Sequence, residues 1–203
     1  MAEKIVFTAD EEDLLKELMN IAYGNATAVI ADFLENFATL SIPSFDIFSP
    51  PELQAYLQKR CELYSDYAKQ AFSGEFSGET MLFLDHSSIG NIAKSLHIDE
   101  SEGIPPQEII LELMNILNST LISRLAQELH TEVSFSIPSA DSIDHLKERL
   151  PSLLESYTQV IIIHTIFEFE KEHIKGEIAI FTKDAPLKWI HKTIQEMVAE
   201  LLL

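Results

Sequence analysis

Apolar residues recur with a 3.6-residue period at Leu14, Leu18, Ile21, Ala22, Val29, Ile30, Phe33 and Phe37, which predicts a long amphipathic helix. Thr8 and Glu11 have capping-box spacing at its start, and acids crowd the first turn where they complement the helix dipole. The same period returns at Ile109, Leu113, Ile116, Leu117, Leu121, Leu125 and Leu129, after a stop and restart at Gly103-Ile104-Pro105-Pro106. Each helix is followed by a strand-like run, near 38–48 and 131–139, and then by a short helix near 51–58 and 143–150. Runs rich in β-branched and aromatic residues predict two hairpins, 64–75 with 78–84 and 159–170 with 176–182. Closing helices are expected over 87–96 and 185–202.

Each half therefore reads helix, strand, short helix, two strands, helix. Identical strings set the halves in register. Glu17-Leu18-Met19-Asn20-Ile21 returns as Glu112-Leu113-Met114-Asn115-Ile116, and Ser41-Ile42-Pro43-Ser44 as Ser136-Ile137-Pro138-Ser139, both 95 residues on (112 − 17 and 136 − 41). The pairs Gly78-Glu79 and Gly176-Glu177 are 98 apart (176 − 78), so the second hairpin is expected to be three residues longer. Neither half would cover its sheet alone. The expected architecture is α+β, a layered α/β/α arrangement in which two repeats share one sheet about a pseudo-twofold axis. The chain reads as a single domain, 1–203, with repeats over about 8–98 and 104–203.

Composition narrows the function classes. With 203 residues, 46% apolar and 23% charged, the chain can bury a substantial core. Its formal charge of −19 repels phosphate backbones and anionic lipid heads, so nucleic acid and membrane are poor partners. Apolar runs such as 160–163 fall far short of a membrane span, and Met1 to Thr8 does not resemble a signal peptide. A lone cysteine, Cys61, provides no disulfide framework and fits a reducing interior. A cytoplasmic location is expected.

Residues three apart on a helix share a face, so Glu17 lies beside Asn20 and Glu112 beside Asn115. That face continues through Gly24, Ala28 and Ala31 in the first helix, and through Ser119, Ser123 and Ala126 in the second. Small residues let another backbone approach, which predicts a docking groove with a polar end. A lone Glu and Asn at this spacing would be ordinary surface decoration. Here their neighbours Tyr23/Asn118, Gly24/Ser119 and Val29/Arg124 differ between the halves, while the Glu and Asn do not. Asn is a mediocre helix former, so its retention mid-helix in both halves points to use of its amide. An amide can fix a water molecule but cannot act as a general base. That suits hydrolysis of a phosphoryl group, whose loose transition state makes in-line placement of water the main task. A carboxylate one turn away can dock on a partner's lysine.

Glu-x-x-Asn followed by Ile-x-x-Gly-Asn-Ala, from Glu17 to Ala26, with Glu-x-x-Asn repeated about a hundred residues later, resembles the CheC/CheX/FliY chemotaxis phosphatases. Two such sites in a chain of this length look most like the CheC type. CheX-type members carry one motif, and FliY-type members carry an extra C-terminal domain. The resemblance implies hydrolysis of the phosphoaspartate on a CheY-like response-regulator receiver. It implies that Asn20 and Asn115 orient the attacking water and that Glu17 and Glu112 pair with the receiver's lysine. Mg²⁺ would come with the receiver, with no cofactor bound to this chain. A CheD-like deamidase is a further partner the resemblance implies, and a monomer is favoured. The second half departs from the fuller pattern, with Ser119-Thr120 standing where the first has Gly24-Asn25.

A rival expectation is a non-catalytic binding module or scaffold of flagellar-switch type, against which the two Glu/Asn pairs weigh. Other candidates fall away. The seven histidines show no ligand spacing, and His164 inside an apolar strand reads as a hydrogen-bonded core residue. Gly74-Glu75-Phe76-Ser77-Gly78 is a hairpin turn rather than a nucleophile elbow. Cys61 reads as a structural thiol, and Met19 and Met114 as packing residues.

Overall fold

A computed structural model describes residues 5–33, 39–40, 44–95, 105–155, 160–169, 173–182 and 184–201. The first copy of the Ser-Ile-Pro-Ser string is described only at Ser44. Phe37 and the stop at Gly103-Ile104 also lie outside the described residues.

Helix α1 (Ala9–Phe33) begins at the capping box expected for it. The Thr8 backbone N–H donates to Glu11 Oε2 at 2.8 Å, and the Glu11 N–H to Thr8 Oγ1 at 3.4 Å. A cap of this kind is worth about 1 kcal/mol. Strands β1 (Thr39–Leu40) and β2 (Ser44–Phe48), helix α2 (Pro50–Leu63), the hairpin β3 (Asp66–Ser73) and β4 (Gly78–Leu84), and α3 (His86–Ser95) complete the first half. The second half runs α4 (Pro106–Leu117), a π-helical segment (Asn118–Ile122), α5 (Ser123–Glu128), β5 (Ser134–Phe135), β6 (Ser139–Ser142), α6 (Ile143–Leu154), β7 (Val160–Phe169), β8 (Ile174–Thr182) and α7 (Asp184–Leu201).

The eight strands form one sheet in the order β1-β7-β8-β4-β3-β5, with β2 also on β7 and β6 also on β3. Its registers repeat between the halves. Ser44 faces His164 where β2 meets β7, and Ser139 faces Lys69 where β6 meets β3, each residue displaced by 95 (139 − 44 and 164 − 69). Thr39–Glu168 and Ser134–Ser73 repeat that displacement (134 − 39 and 168 − 73). In the central pair, Met81 faces Ala179, 98 apart (179 − 81), and the flanking pairs Leu82–Ile178 and Thr80–Ile180 exchange under the same shift. A pseudo-twofold axis therefore passes through the Met81–Ala179 pair. The change from 95 to 98 is the three-residue lengthening expected of the second hairpin.

The repeated glycines have a packing reason. Gly78 lies opposite Phe72 and Gly176 opposite Phe167, and each phenylalanine ring covers its glycine. A Cβ would come within 2.9 Å of Phe72 Cζ at one and 2.2 Å of Phe167 Cζ at the other.

Hydrophobic residues on both faces of the sheet make three layers. One face carries α1, α3, α4–α5 and α7 over Phe72, Leu82, Phe167 and Ile180. The other carries α2 and α6 over Tyr67, Met81, Phe83 and Phe181. Gln107–Glu128 is long and apolar enough by composition to cross a membrane, but its Leu113, Met114, Leu117 and Leu121 are buried in the first of these cores. Among the described residues of the predicted α1 stripe, one position differs. Val29 is 41% exposed, because it falls on the shoulder of the helix facing away from the sheet.

Candidate functional site

The repeated pentapeptide splits by side. Leu18, Met19, Leu113 and Met114 are buried, whereas Glu17, Asn20, Glu112 and Asn115 are all exposed. α1 packs against α4 and its continuation on the same face of the sheet. Both Glu/Asn pairs therefore stand on the outer side of one helical layer. Gly24 and Ala28 extend the exposed stripe of α1, and a Cβ on Gly24 would meet nothing within 4 Å.

The second stripe differs from expectation beyond Ser119. Ser123 is half-buried and Ala126 is 1% exposed, within the core. The π-helical segment accounts for this. Its wider turn adds a residue to the helical cycle, so side chains after it point in new directions. Past the turn the surface opens into a depression of about 210 Å³, with Ser123, Gln127 and Val133 in its wall.

Behind Asn115 lies a polar network that the sequence pattern did not reveal. Gln70 of β3, 5% exposed, donates from Nε2 to the Ser136 carbonyl at 2.8 Å and to Asn115 Oδ1 at 3.3 Å. Asn118, 1% exposed in the π-helical segment, donates from Nδ2 to Gln70 Oε1 at 2.7 Å. Ser136 belongs to the repeated Ser-Ile-Pro-Ser string and is itself tied to β3. Its N–H donates to the Ala71 carbonyl at 2.9 Å, and its hydroxyl accepts from the Ala71 N–H at 3.1 Å. One residue further on, Ile137 is 93% exposed.

At the first site the corresponding positions, displaced by 95, are Thr165 for Gln70 and Tyr23 for Asn118 (165 − 70 and 118 − 23). Tyr23 is 3% exposed, and its hydroxyl has no hydrogen-bond partner among the described residues. Burial pushes that hydroxyl's pKa up, as expected of a dry site. Asn20 makes no hydrogen bond among the described residues. Asn25 turns its amide to its own helix, donating to the Ile21 carbonyl at 3.0 Å.

A second polar cluster lies on the opposite face of the sheet. Glu177 of β8 accepts from Arg60 Nη2 at 2.6 Å, Arg60 Nε at 3.0 Å and the Tyr56 hydroxyl at 2.8 Å, and the Arg60 guanidinium sits 3.5 Å above the Tyr56 ring. His164 is hydrogen-bonded as expected, meeting the Ser44 hydroxyl at 2.7 Å, but it is half-buried rather than in the core, with its side chain 26% exposed and its Nδ1 3.6 Å from Glu177. Burial lowers its pKa, partly countered by the Glu177 charge. Cys61 is buried, and burial pushes its thiol up, which fits a structural role. Among the described residues, no group of three or more His, Cys, Asp or Glu side chains could hold a metal ion.

No family model matches the sequence, and no curated protein matches it in sequence. Solved structures do match. FliY of Thermotoga maritima superposes with a TM-score of 0.65 at 16% identity, over 95% of this chain and 99% of that one. FliM of H. pylori, in its complex with SpeE, gives 0.62 at 14% identity over 94% and 97%. CheX of Vibrio vulnificus gives 0.54 at 12% over 82% and 99%. The chain thus has a fold of chemotaxis and flagellar-switch proteins. More particularly, it is that of the CheC/CheX/FliY fold family, which FliM middle domains share.

Proposed function

We propose that this protein is a phosphatase acting on the phosphoaspartate of a CheY-like receiver domain, with two sites formed by Glu17/Asn20 and Glu112/Asn115. The observation that carries the reading is the double occurrence of an exposed Glu-x-x-Asn, on two helices of one layer, in a fold shared with CheX and FliY. Each amide would hold a water in line with the phosphorus–oxygen bond to the aspartate. That bond breaks as the water oxygen attaches, the aspartate leaves as a carboxylate, and the water's proton passes to the departing phosphate and solvent, since an amide takes none. Each glutamate would pair with the receiver's lysine and set the register of docking. Mg²⁺ belongs to the receiver in this scheme.

The fold's likeness to FliM favours a second reading, a binding module that docks a receiver without hydrolysing it. One experiment separates the two. The phosphoryl lifetime of phosphorylated CheY-like receivers is measured with the parent protein and with Asn20→Ala/Asn115→Ala. The phosphatase reading expects the parent to shorten the lifetime and the double variant to return it to the receiver's own rate. Binding with no shortening by the parent supports the module. Undiminished activity in the folded double variant overturns the mechanism.

A further inference from the structure

We infer that Gln70 is a positioning residue that fixes the orientation of the Asn115 amide, so that the second site is pre-set with its NH₂ group outward while the first is not. The inference rests on the phosphatase reading for its kinetic consequence, and on hydrogen-bond polarity alone for its structural content.

The polarity follows from one group that cannot be reversed. The Ser136 carbonyl can only accept, so the end of Gln70 that meets it at 2.8 Å must be the NH₂. The same NH₂ faces Asn115 at 3.3 Å, which requires the Asn115 oxygen there and turns its Nδ2 away from the sheet. Gln70 Oε1 is then left to accept, and Asn118 Nδ2 donates to it at 2.7 Å. Both inner amides are buried, so water does not compete for these partners. The Asn118 oxygen is buried with no partner among the described residues, so the π-helical segment holds this side chain inward even with that acceptor unsatisfied there. Thr165, at the position of Gln70, carries one hydroxyl and cannot accept from one amide while donating to two groups. The Ser-Ile-Pro-Ser string accordingly has a role beyond marking the repeat, because its serine carbonyl sets the polarity of the whole chain of amides.

The test places Gln70→Met, similar in length but without hydrogen bonds, in two backgrounds that isolate the sites. In Asn20→Ala protein, where only the second site works, kcat on a phosphorylated receiver should fall about tenfold with KM within about twofold, as for a misoriented group rather than a lost docking contact. In Asn115→Ala protein the same substitution should leave kcat unchanged. Gln70→Glu, which replaces the donor by an acceptor, should lower second-site kcat at least as much. A direct readout accompanies these: the side-chain NH₂ resonances of Asn115 in ¹⁵N-labelled protein should lose their dispersion in Gln70→Met while those of Asn20 stay put. Unchanged second-site kcat, or equal losses in both backgrounds, overturns the positioning role. If neither isolated site has activity, the phosphatase reading fails, and the Asn115 resonances still decide the orientation: no change on Gln70→Met overturns it.

Discussion

The two halves of this protein share a pairing register residue by residue, yet equivalent positions have been put to different polar use. Behind Asn115 the second site has Gln70 and Asn118; behind Asn20 the first has Thr165 and Tyr23. Across the sheet, Glu177 and His164 occupy the positions of Glu79 and Lys69 (177 − 79 is 98, and 164 − 69 is 95). Glu177 is buried under Arg60 and Tyr56, while Glu79 meets Lys69 at 3.5 Å with side chains 24% and 34% exposed. A shared backbone thus leaves polar partners free to diverge, since each network needs only side chains that reach one another. The exposed Glu and Asn are what the halves keep in common.

The largest difference should be in stability. Glu177→Ala leaves Arg60, with only 12% of its side chain exposed, without its carboxylate, and should destabilise the protein by about 3–5 kcal/mol. Glu79→Ala removes a screened pair and should cost about 1 kcal/mol or less. Urea unfolding of both variants checks this. Equal shifts in midpoint would mean that burial of the Arg60–Glu177 pair does not distinguish the halves.

Next in size is the contrast between sites. With a phosphorylated receiver in excess, Asn115→Ala should reduce kcat about tenfold, whereas Asn20→Ala should reduce it by less than about twofold, because the held amide spends more of its time in the productive orientation. Phosphate release measured at saturating receiver gives both numbers. Equal losses would show that the amide network has no kinetic consequence.

Much of this contrast was out of reach of the sequence, for physical reasons. Glu17, Asn20, Glu112 and Asn115 were legible because helical spacing places them on one face and because a repeat compares two copies of it. The hairpins and their three-residue offset were legible from β-branched runs and Gly-Glu pairs. Gln70 was not, since its partners lie 45, 48 and 66 residues away and strand periodicity does not identify partners. One signal was present: Gln70 falls in phase with Ala68 and Phe72, which face the core, and a glutamine at such a position must find hydrogen bonds. The buried Ala126 was illegible because a π turn leaves no mark in apolar spacing until the helix is seen.

Smaller effects sharpen the comparison further. Ile137 stands 93% exposed one residue beyond the carbonyl that anchors Gln70, a natural apolar contact for a docked receiver. Ile137→Asp should raise KM about fivefold at the second site, measured in Asn20→Ala protein, with kcat unchanged and stability within about 0.5 kcal/mol. A fall in kcat instead would place Ile137 in the support of Asn115 rather than in docking.

The smallest expected effect is a pH dependence confined to one half. His164 has a pKa held down by burial, with the Glu177 charge opposing, so the fold favours its neutral form. The unfolded chain takes up that proton near the ordinary value of about 6.5. The contribution of His164 is therefore fully present above that value, and it is lost as pH falls from there through the folded pKa. In urea unfolding at pH 7.5 and pH 5.5, the parent should lose stability relative to His164→Gln on acidification, while Lys69→Gln should differ from the parent by the same amount at both. A parent that gains on His164→Gln at the lower pH would mean that Glu177 outweighs burial and holds a charged imidazole. In that case Glu177 and His164 of the second hairpin would form a triad with Arg60, where the first hairpin has the Lys69–Glu79 pair.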